Sequence, residues 1–313
     1  MSPKEMSEVE VPALEGKTIV IAGVTGQVAR PVAMSLAERN EVIGAARFAR
    51  TGSNDELEAA GIRCVHIDLE TGEVDQLPED PDVVLNFAVA KTNDWTRDLD
   101  ANVGGVLSLI EQVQGAGALL HCSSTAVYKP LGHHVFREED PLGDNHGVWE
   151  FLRTYSTAKI AAEAAVRWAA TRFELPTTIA RLSVPYGANG GWPAIHLEMM
   201  CNGSAIPVHE DAPSIYHPLH DDDILASIPG LLAAASLPAT TVNWGGKDAV
   251  SIEEWCGYLG ELTGLEPRFE PTATTIDSVA IDLSRLHELV GASRVEWRDG
   301  MRQMVEARHP ELL

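Results

Sequence analysis

The chain has 313 residues, 45% of them hydrophobic, and a formal net charge of −23. That length holds one large domain or two smaller ones with an ample core, and no apolar run approaches the roughly 20 residues of a membrane span. The acidity argues against nucleic acid and anionic membrane as main partners, yet a local nest of backbone amides can still bind a phosphate.

Residues 1–15 are polar and acidic, unlike a signal sequence, and are expected to form a disordered tail. Lys17–Ala22 then reads as a strand, Gln27–Arg39 as a helix, and Glu41–Ala46 and Ile62–Ile67 as further strands. Val83–Ala88 and Ala118–Cys122 continue the strands, with helical spacing over Leu99–Gln114 between them. A long helix is expected from about Val148 to Phe173, followed by a strand at Thr177–Leu182. Buried strands alternating with helices predict an α/β, Rossmann-type doubly wound parallel sheet over residues 16–182. Beyond Arg181 prolines and glycines become frequent, and helices are expected near 194–202, 222–235, 252–263 and 297–307. Residues 183–313 are therefore expected to form a smaller, interleaved substrate-side lobe, with about 215–248 returning to the sheet domain.

The four cysteines, Cys64, Cys122, Cys201 and Cys256, are widely spaced and form no CxxC pair. Cys64 and Cys122 lie in apolar runs and are expected as small core residues. Nothing demands an oxidising compartment, and a cytoplasmic protein is inferred. His133, His134, His209, His217 and His220 lie in turn-rich segments without metal-ligand spacing, so no metal is called for.

The first strand runs through Gly23, Thr25, Gly26, Gln27 and Val28 into a helix. Gly23 permits a tight turn, Gly26 lets backbone approach a pyrophosphate at the helix N-terminus, and Ala29 allows close helix–sheet packing. NAD-selective sites place a carboxylate at the end of the second strand, but this chain carries Arg47 and Arg50 there. Arginine pairs with a 2′-phosphate, so NADP(H) is favoured, with NAD(H) also admitted. Asp68 and Leu69 are placed to meet the adenine edge, or Asp68 caps its own turn. Phe87, Ala88, Val89 and Lys91 lie where the next strand ends, and small residues there would let the chain pass the pyrophosphate.

Tyr155 and Lys159 stand four apart on the long helix and so share one face. An ammonium beside a phenol stabilises the phenolate, and a nearby serine from Ser123-Ser124 would hold a substrate oxygen as the proton moves. This set suits carbonyl–alcohol interconversion beside a hydride carrier.

With these motifs in order, the chain resembles the extended short-chain dehydrogenase/reductases, the group of NAD(P)-dependent epimerases and dehydratases. Gly23-x-x-Gly26-x-x-Ala29, Asn86-Phe-Ala88, Asn102-Val-x-Gly105, Ser123-Ser124-x-x-Val127-Tyr128, Tyr155-x-x-x-Lys159, Arg181-Leu-x-x-Pro-Tyr186-Gly187 and His220-x-Asp222-Asp223 carry the resemblance. It implies that Tyr155 donates or accepts the proton, Lys159 binds the nicotinamide ribose, and Ser124 holds the substrate oxygen. It also places Pro185 near the nicotinamide carboxamide, gives Asn102 a role beside the cofactor that is structural rather than in a proton relay, and implies a homodimer built from Leu99–Gln114 and the Tyr155 helix.

Dehydratases of the group carry an Asp-Glu pair after the Ser/Thr, where this chain has Thr125-Ala126. The arginine that holds a sugar-nucleotide diphosphate is also missing before His220. The expectation is therefore an NADP(H)-dependent enzyme interconverting a small-molecule carbonyl and secondary alcohol. A nucleotide-sugar epimerase is the alternative, and a non-catalytic dinucleotide sensor a third. Candidate substrate contacts are Ser124, Thr125, Trp95, Trp149, Tyr186 and Trp192, the tryptophans offering stacking surfaces.

Overall fold

The computed structural model describes residues 13–313, so most of the expected tail lies outside the described residues. Leu14 packs against the core, and its carbonyl accepts from Asn40 Nδ2 at 3.0 Å. The described residues form one seven-stranded sheet with helices on both faces and four small sheets at one end. The sheet comprises β1 (Thr18–Ala22), β2 (Glu41–Ala46), β3 (Arg63–His66), β4 (Val83–Asn86) and β5 (Ala118–Ser124), with further strands at Thr177–Leu182 and Thr240–Trp244. Its spatial order is 240–244, 177–182, β5, β4, β1, β2, β3, and every pairing is parallel.

Continuous apolar strands explain this architecture. The last four residues of β1 and all of Thr177–Leu182 are buried, as parallel strands covered on both faces must be. On one face, α1 (Ala29–Leu36) packs beside α7 (Asp221–Ala233); on the other, α4 (Val106–Gln112) packs beside α5 (Tyr155–Phe173). The short helices α2 (Asp55–Ala59) and α3 (Trp95–Leu99) belong to the crossovers. The C-terminal part adds α6 (Trp192–Cys201), α8 (Ile252–Thr263), α9 (Ser284–Val290) and α10 (Trp297–Arg308). Ser251 and Glu254 close a capping box on α8. Strand order reverses between β1 and β4, so the crevice at their C-terminal ends is where such sheets bind ligands.

Two helices differ from their expected extents. The helix expected from Val148 begins at Tyr155, because Asn93 Nδ2 takes the carbonyls of Glu150 (3.2 Å) and Phe151 (2.8 Å) and holds that stretch as a short turn. The helix expected over Leu99–Gln114 is α3 and α4 joined by a π-helical stretch at Asp100–Gly105. A Cβ at Gly105 would fall on the Leu69 carbonyl, so only glycine lets the helix approach that loop. Cys122 and Cys256 are core residues, whereas Cys64 is half-buried and Cys201 exposed. No helix among the described residues is long and apolar enough to cross a membrane.

Candidate active site

The alternation of β5 sends its two consecutive serines to opposite sides. Ser123 is buried and donates to Glu163 Oε1 at 2.6 Å, while Ser124 is half-exposed at the strand's C-terminal end. Ser124 Oγ accepts from Ala126 N at 3.2 Å. That contact uses a lone pair and leaves the hydroxyl proton free to donate to a substrate oxygen.

Tyr155 is the first residue of α5 and half-buried, and Lys159 lies one turn on, with its Nζ 6.0 Å from the Tyr155 ring centroid. Nζ donates to the Cys122 carbonyl at 2.8 Å, which fixes the ammonium beneath the end of β5 and leaves donors free for a ribose. Beneath Ser123 lies a buried ion cluster. Arg181 donates from Nε and Nη2 to both oxygens of Glu163, at 2.9 and 2.8 Å, and Arg167 adds a third contact at 2.8 Å. Burial opposes the charge on Glu163, but hydrogen bonds and the charge of Arg181, with Ser123 and Arg167, outweigh it and hold the carboxyl at about 2.

Asp98 was not marked in the sequence, yet it organises the rim. Its buried carboxylate accepts from Thr92 N, Thr92 Oγ1 and Asn93 N, and from Thr154 Oγ1 at 2.6 Å. It thereby ties the loop after β4 to the residue preceding Tyr155. Burial resists ionisation of Asp98, and the Thr154, Thr92 and Asn93 donors overcome it, lowering its pKa. Asn102, from the π-helical stretch, donates to the Ala90 carbonyl at 2.8 Å and accepts from Ala90 N at 3.0 Å. It holds the loop after β4 through the Ala90 backbone.

The glycine loop turns tightly against the end of β4. Gly23 has φ +78, and a Cβ there would stand 2.7 Å from Ala88 N and Cα, so the loop lies against the end of β4. The N-terminus of α1 has no side-chain cap and no acidic residue in its first turn. A phosphate placed there would meet these amides and the positive end of the helix without a competing carboxylate. Thr25 and Gly26 are exposed and Val28 is half-buried. Gln27 Nε2 donates to the Pro185 carbonyl at 3.1 Å, joining the loop to the segment expected beside the nicotinamide. Phe87, Ala88 and Val89 are half-buried beside it, and Lys91 is exposed.

At the end of β2, Arg47 and Arg50 are both exposed. Asp68 caps its own turn, accepting from Glu70 N at 2.9 Å, and Leu69 presents its carbonyl to Gly105.

The substrate side divides the sequence candidates. Trp149 and Trp192 meet edge to face at 6.0 Å, and Trp192 continues to Tyr216 at 5.3 Å. Trp149 also packs on His146 at 5.7 Å, whose ring lies 5.2 Å from Tyr155. An aromatic wall thus runs from Tyr155 into the C-terminal lobe. Trp95 is absent from that stack and opens α3 at the surface, 44% exposed. Tyr186 is withdrawn from the substrate contacts: its ring is buried and its hydroxyl donates to the Trp297 carbonyl at 3.3 Å. Thr125 is buried in the turn after Ser124. His146 was missed because an isolated histidine in a turn-rich stretch carries no periodic signal. A surface depression lined by Gly72, Asp75, Ser108 and Glu111 shares no residue with this constellation.

A doubly wound parallel sheet with serine, tyrosine and lysine at its C-terminal rim defines an extended short-chain dehydrogenase/reductase. The chain belongs to the NAD dependent epimerase/dehydratase family, whose sequence profile matches residues 19–204, and it is an enzyme of that family. No match was found among curated proteins. Among solved structures, it is similar to the UDP-glucuronic acid 4-epimerase of Bacillus cereus in complex with UDP-glucuronic acid and NAD, with 18% identity, TM-score 0.79, and 93% of this chain and 98% of that one covered. The UDP-glucose 4-epimerase of Thermotoga maritima with UDP-glucose gives 18% identity, TM-score 0.79, and 95% and 100% coverage. The dTDP-glucose 4,6-dehydratase of Bacillus anthracis in complex with NAD gives 19% identity, TM-score 0.77, and 94% and 97% coverage. At these identities the likeness establishes the fold.

Proposed function

We propose that the protein oxidises and re-reduces one secondary carbinol carbon of a nucleotide-linked sugar, as an epimerase, with Tyr155 moving the hydroxyl proton. The observation that carries this is Tyr155 at the head of α5, with Lys159 anchored one turn below, and the Ser124 hydroxyl proton free at the end of β5. The epimerases of similar fold hold nucleotide sugars, which supplies the substrate class.

The residues fit a dinucleotide: the amides from Gly23 to Val28 would hold the pyrophosphate, Lys159 the nicotinamide ribose, and Pro185 the carboxamide side. When bound, the nicotinamide supplies a hydride acceptor and donor. Tyr155 takes the hydroxyl proton during oxidation and returns it during reduction. Lys159 stabilises the phenolate, and Ser124 donates to the substrate oxygen throughout. Thr125 and Ala126 provide no carboxylate after Ser124, so this mechanism includes no water loss. The test is incubation with UDP-glucose, UDP-glucuronic acid or dTDP-glucose, followed by NMR. An epimeric product without net change in nicotinamide absorbance is expected.

A second reading, net NADPH-dependent carbonyl reduction, draws on Arg47 and Arg50, both exposed at the end of β2 where an NAD site places a carboxylate. Stoichiometric loss of NADPH during turnover, with weaker binding of NAD(H), would favour it over epimerisation.

A further inference from the structure

His146 stands beside the catalytic tyrosine but takes no part in the mechanism above. Its Nδ1 lies 3.0 Å from Ser156 Oγ, and its backbone N donates to the same oxygen at 3.2 Å. Ser156 Oγ lies 2.7 Å from the Ala126 carbonyl, which cannot donate, so the single serine proton is committed there. Both serine lone pairs are then left to accept, and Nδ1 carries the histidine proton. Burial pushes the His146 imidazole down to about 4, so the ring is neutral and Nε2 holds a free lone pair.

The ring cannot swing away. It is 6% exposed, with Tyr155 on one side and Trp149 on another, and Asn145 Oδ1 accepts from Asp277 N at 3.2 Å to pin the segment to the C-terminal lobe. Among the described residues Nε2 has no hydrogen-bond partner, and it is not one of the sealed polar atoms, unlike His121 Nε2. A fixed acceptor with access to solvent therefore stands on a ring 5.2 Å from that of Tyr155. An acceptor held this way and left without a donor is costly, which selects ligands that supply one.

We infer that His146 is a substrate-recognition residue whose Nε2 accepts a hydrogen bond from a hydroxyl adjacent to the carbon that Tyr155 serves. The site is then specific for vicinal diols and α-hydroxy carbonyls over isolated alcohols and ketones. This rests on the reading of Tyr155 as the proton-moving group on a sugar substrate, and it adds the neighbouring hydroxyl as a requirement.

The experiment compares UDP-glucose with UDP-3-deoxyglucose, whose missing hydroxyl adjoins both carbon 2 and carbon 4 of the sugar. Binding to the full-length protein is measured by calorimetry with NAD(H) or NADP(H) present, and turnover by product NMR. The wild type is expected to prefer the 3-hydroxyl by about 10-fold in affinity or kcat/KM, the value of one neutral hydrogen bond. His146→Phe is expected to erase that preference by weakening only UDP-glucose. Equal losses on both sugars would show a merely structural role. Absence of any preference in the wild type, including failure to bind either sugar, would also overturn the inference. Nitrogen-15 NMR of labelled histidine tests it without a variant: a proton on Nδ1 is expected, and a proton on Nε2 instead refutes it. Failure of the Tyr155 assignment is separately visible, because Tyr155→Phe would then keep turning over while the binding preference persists.

Discussion

Replacing Glu163 by glutamine probes the foundation of the site. In the native protein its carboxylate is fully buried and receives two hydrogen bonds from Arg181, whose side chain is 2% exposed, plus one each from Arg167 and Ser123. Glutamine keeps the shape but leaves two guanidinium groups facing a neutral amide. Breaking one member of a buried pair costs about 3–5 kcal/mol, far above the ~0–1 kcal/mol of an exposed pair. Urea denaturation followed by tryptophan fluorescence should show a loss in that range at pH 7. The double variant Glu163→Leu with Arg181→Met should recover at least half of it, because both buried charges are gone. The acid limb gives a second check. Glu163 has a folded pKa of about 2, below the 4.5 of a free glutamate, so its stabilisation is complete above about pH 4.5 and fades as pH falls toward 2. Glu163→Gln should flatten that part of the stability curve. A loss below about 1 kcal/mol at pH 7, or an unchanged acid limb, would refute the argument.

Gly23→Ala forces a side chain onto a φ of +78 and against the backbone of Ala88. A cost of about 1–3 kcal/mol and loss of dinucleotide binding are expected, measured by thermal melting and by nicotinamide fluorescence titration. Asp98→Asn removes the charge that gathers Thr92, Asn93 and Thr154. Because Tyr155 follows Thr154 directly, kcat should fall about 10-fold or more with dinucleotide affinity little changed.

The sheet was legible because its strands are unbroken apolar runs: the predicted bounds of Glu41–Ala46 and Thr177–Leu182 are those observed. Helix starts were less so. The Val148–Leu152 stretch has helical composition, but its fate depends on Asn93, more than fifty residues away, and no local pattern reveals that. The π-helical stretch was hidden for a similar reason, since the close approach of Gly105 to Leu69 is a tertiary contact. Among the candidate residues, Ser124 ends β5, and Tyr155 and Lys159 share one face of α5, as strand and helix geometry predict. Trp149 and Trp192 pack edge to face, whereas Tyr186 is buried, a phase that a strand of three residues does not reveal in the sequence. His146 and Asp98 carry no periodic signal in one dimension: Asp98 finds Thr154 more than fifty residues away, and His146 meets Tyr155 and Ser156 only through the turn before α5.

The central claim is that Tyr155 moves the proton of an oxidation–reduction. The most direct test is the kcat of Tyr155→Phe on a sugar nucleotide that the wild type converts, with dinucleotide binding checked by titration. The account predicts retained binding and a fall in kcat of about 10²–10⁴-fold; near-native turnover would contradict it.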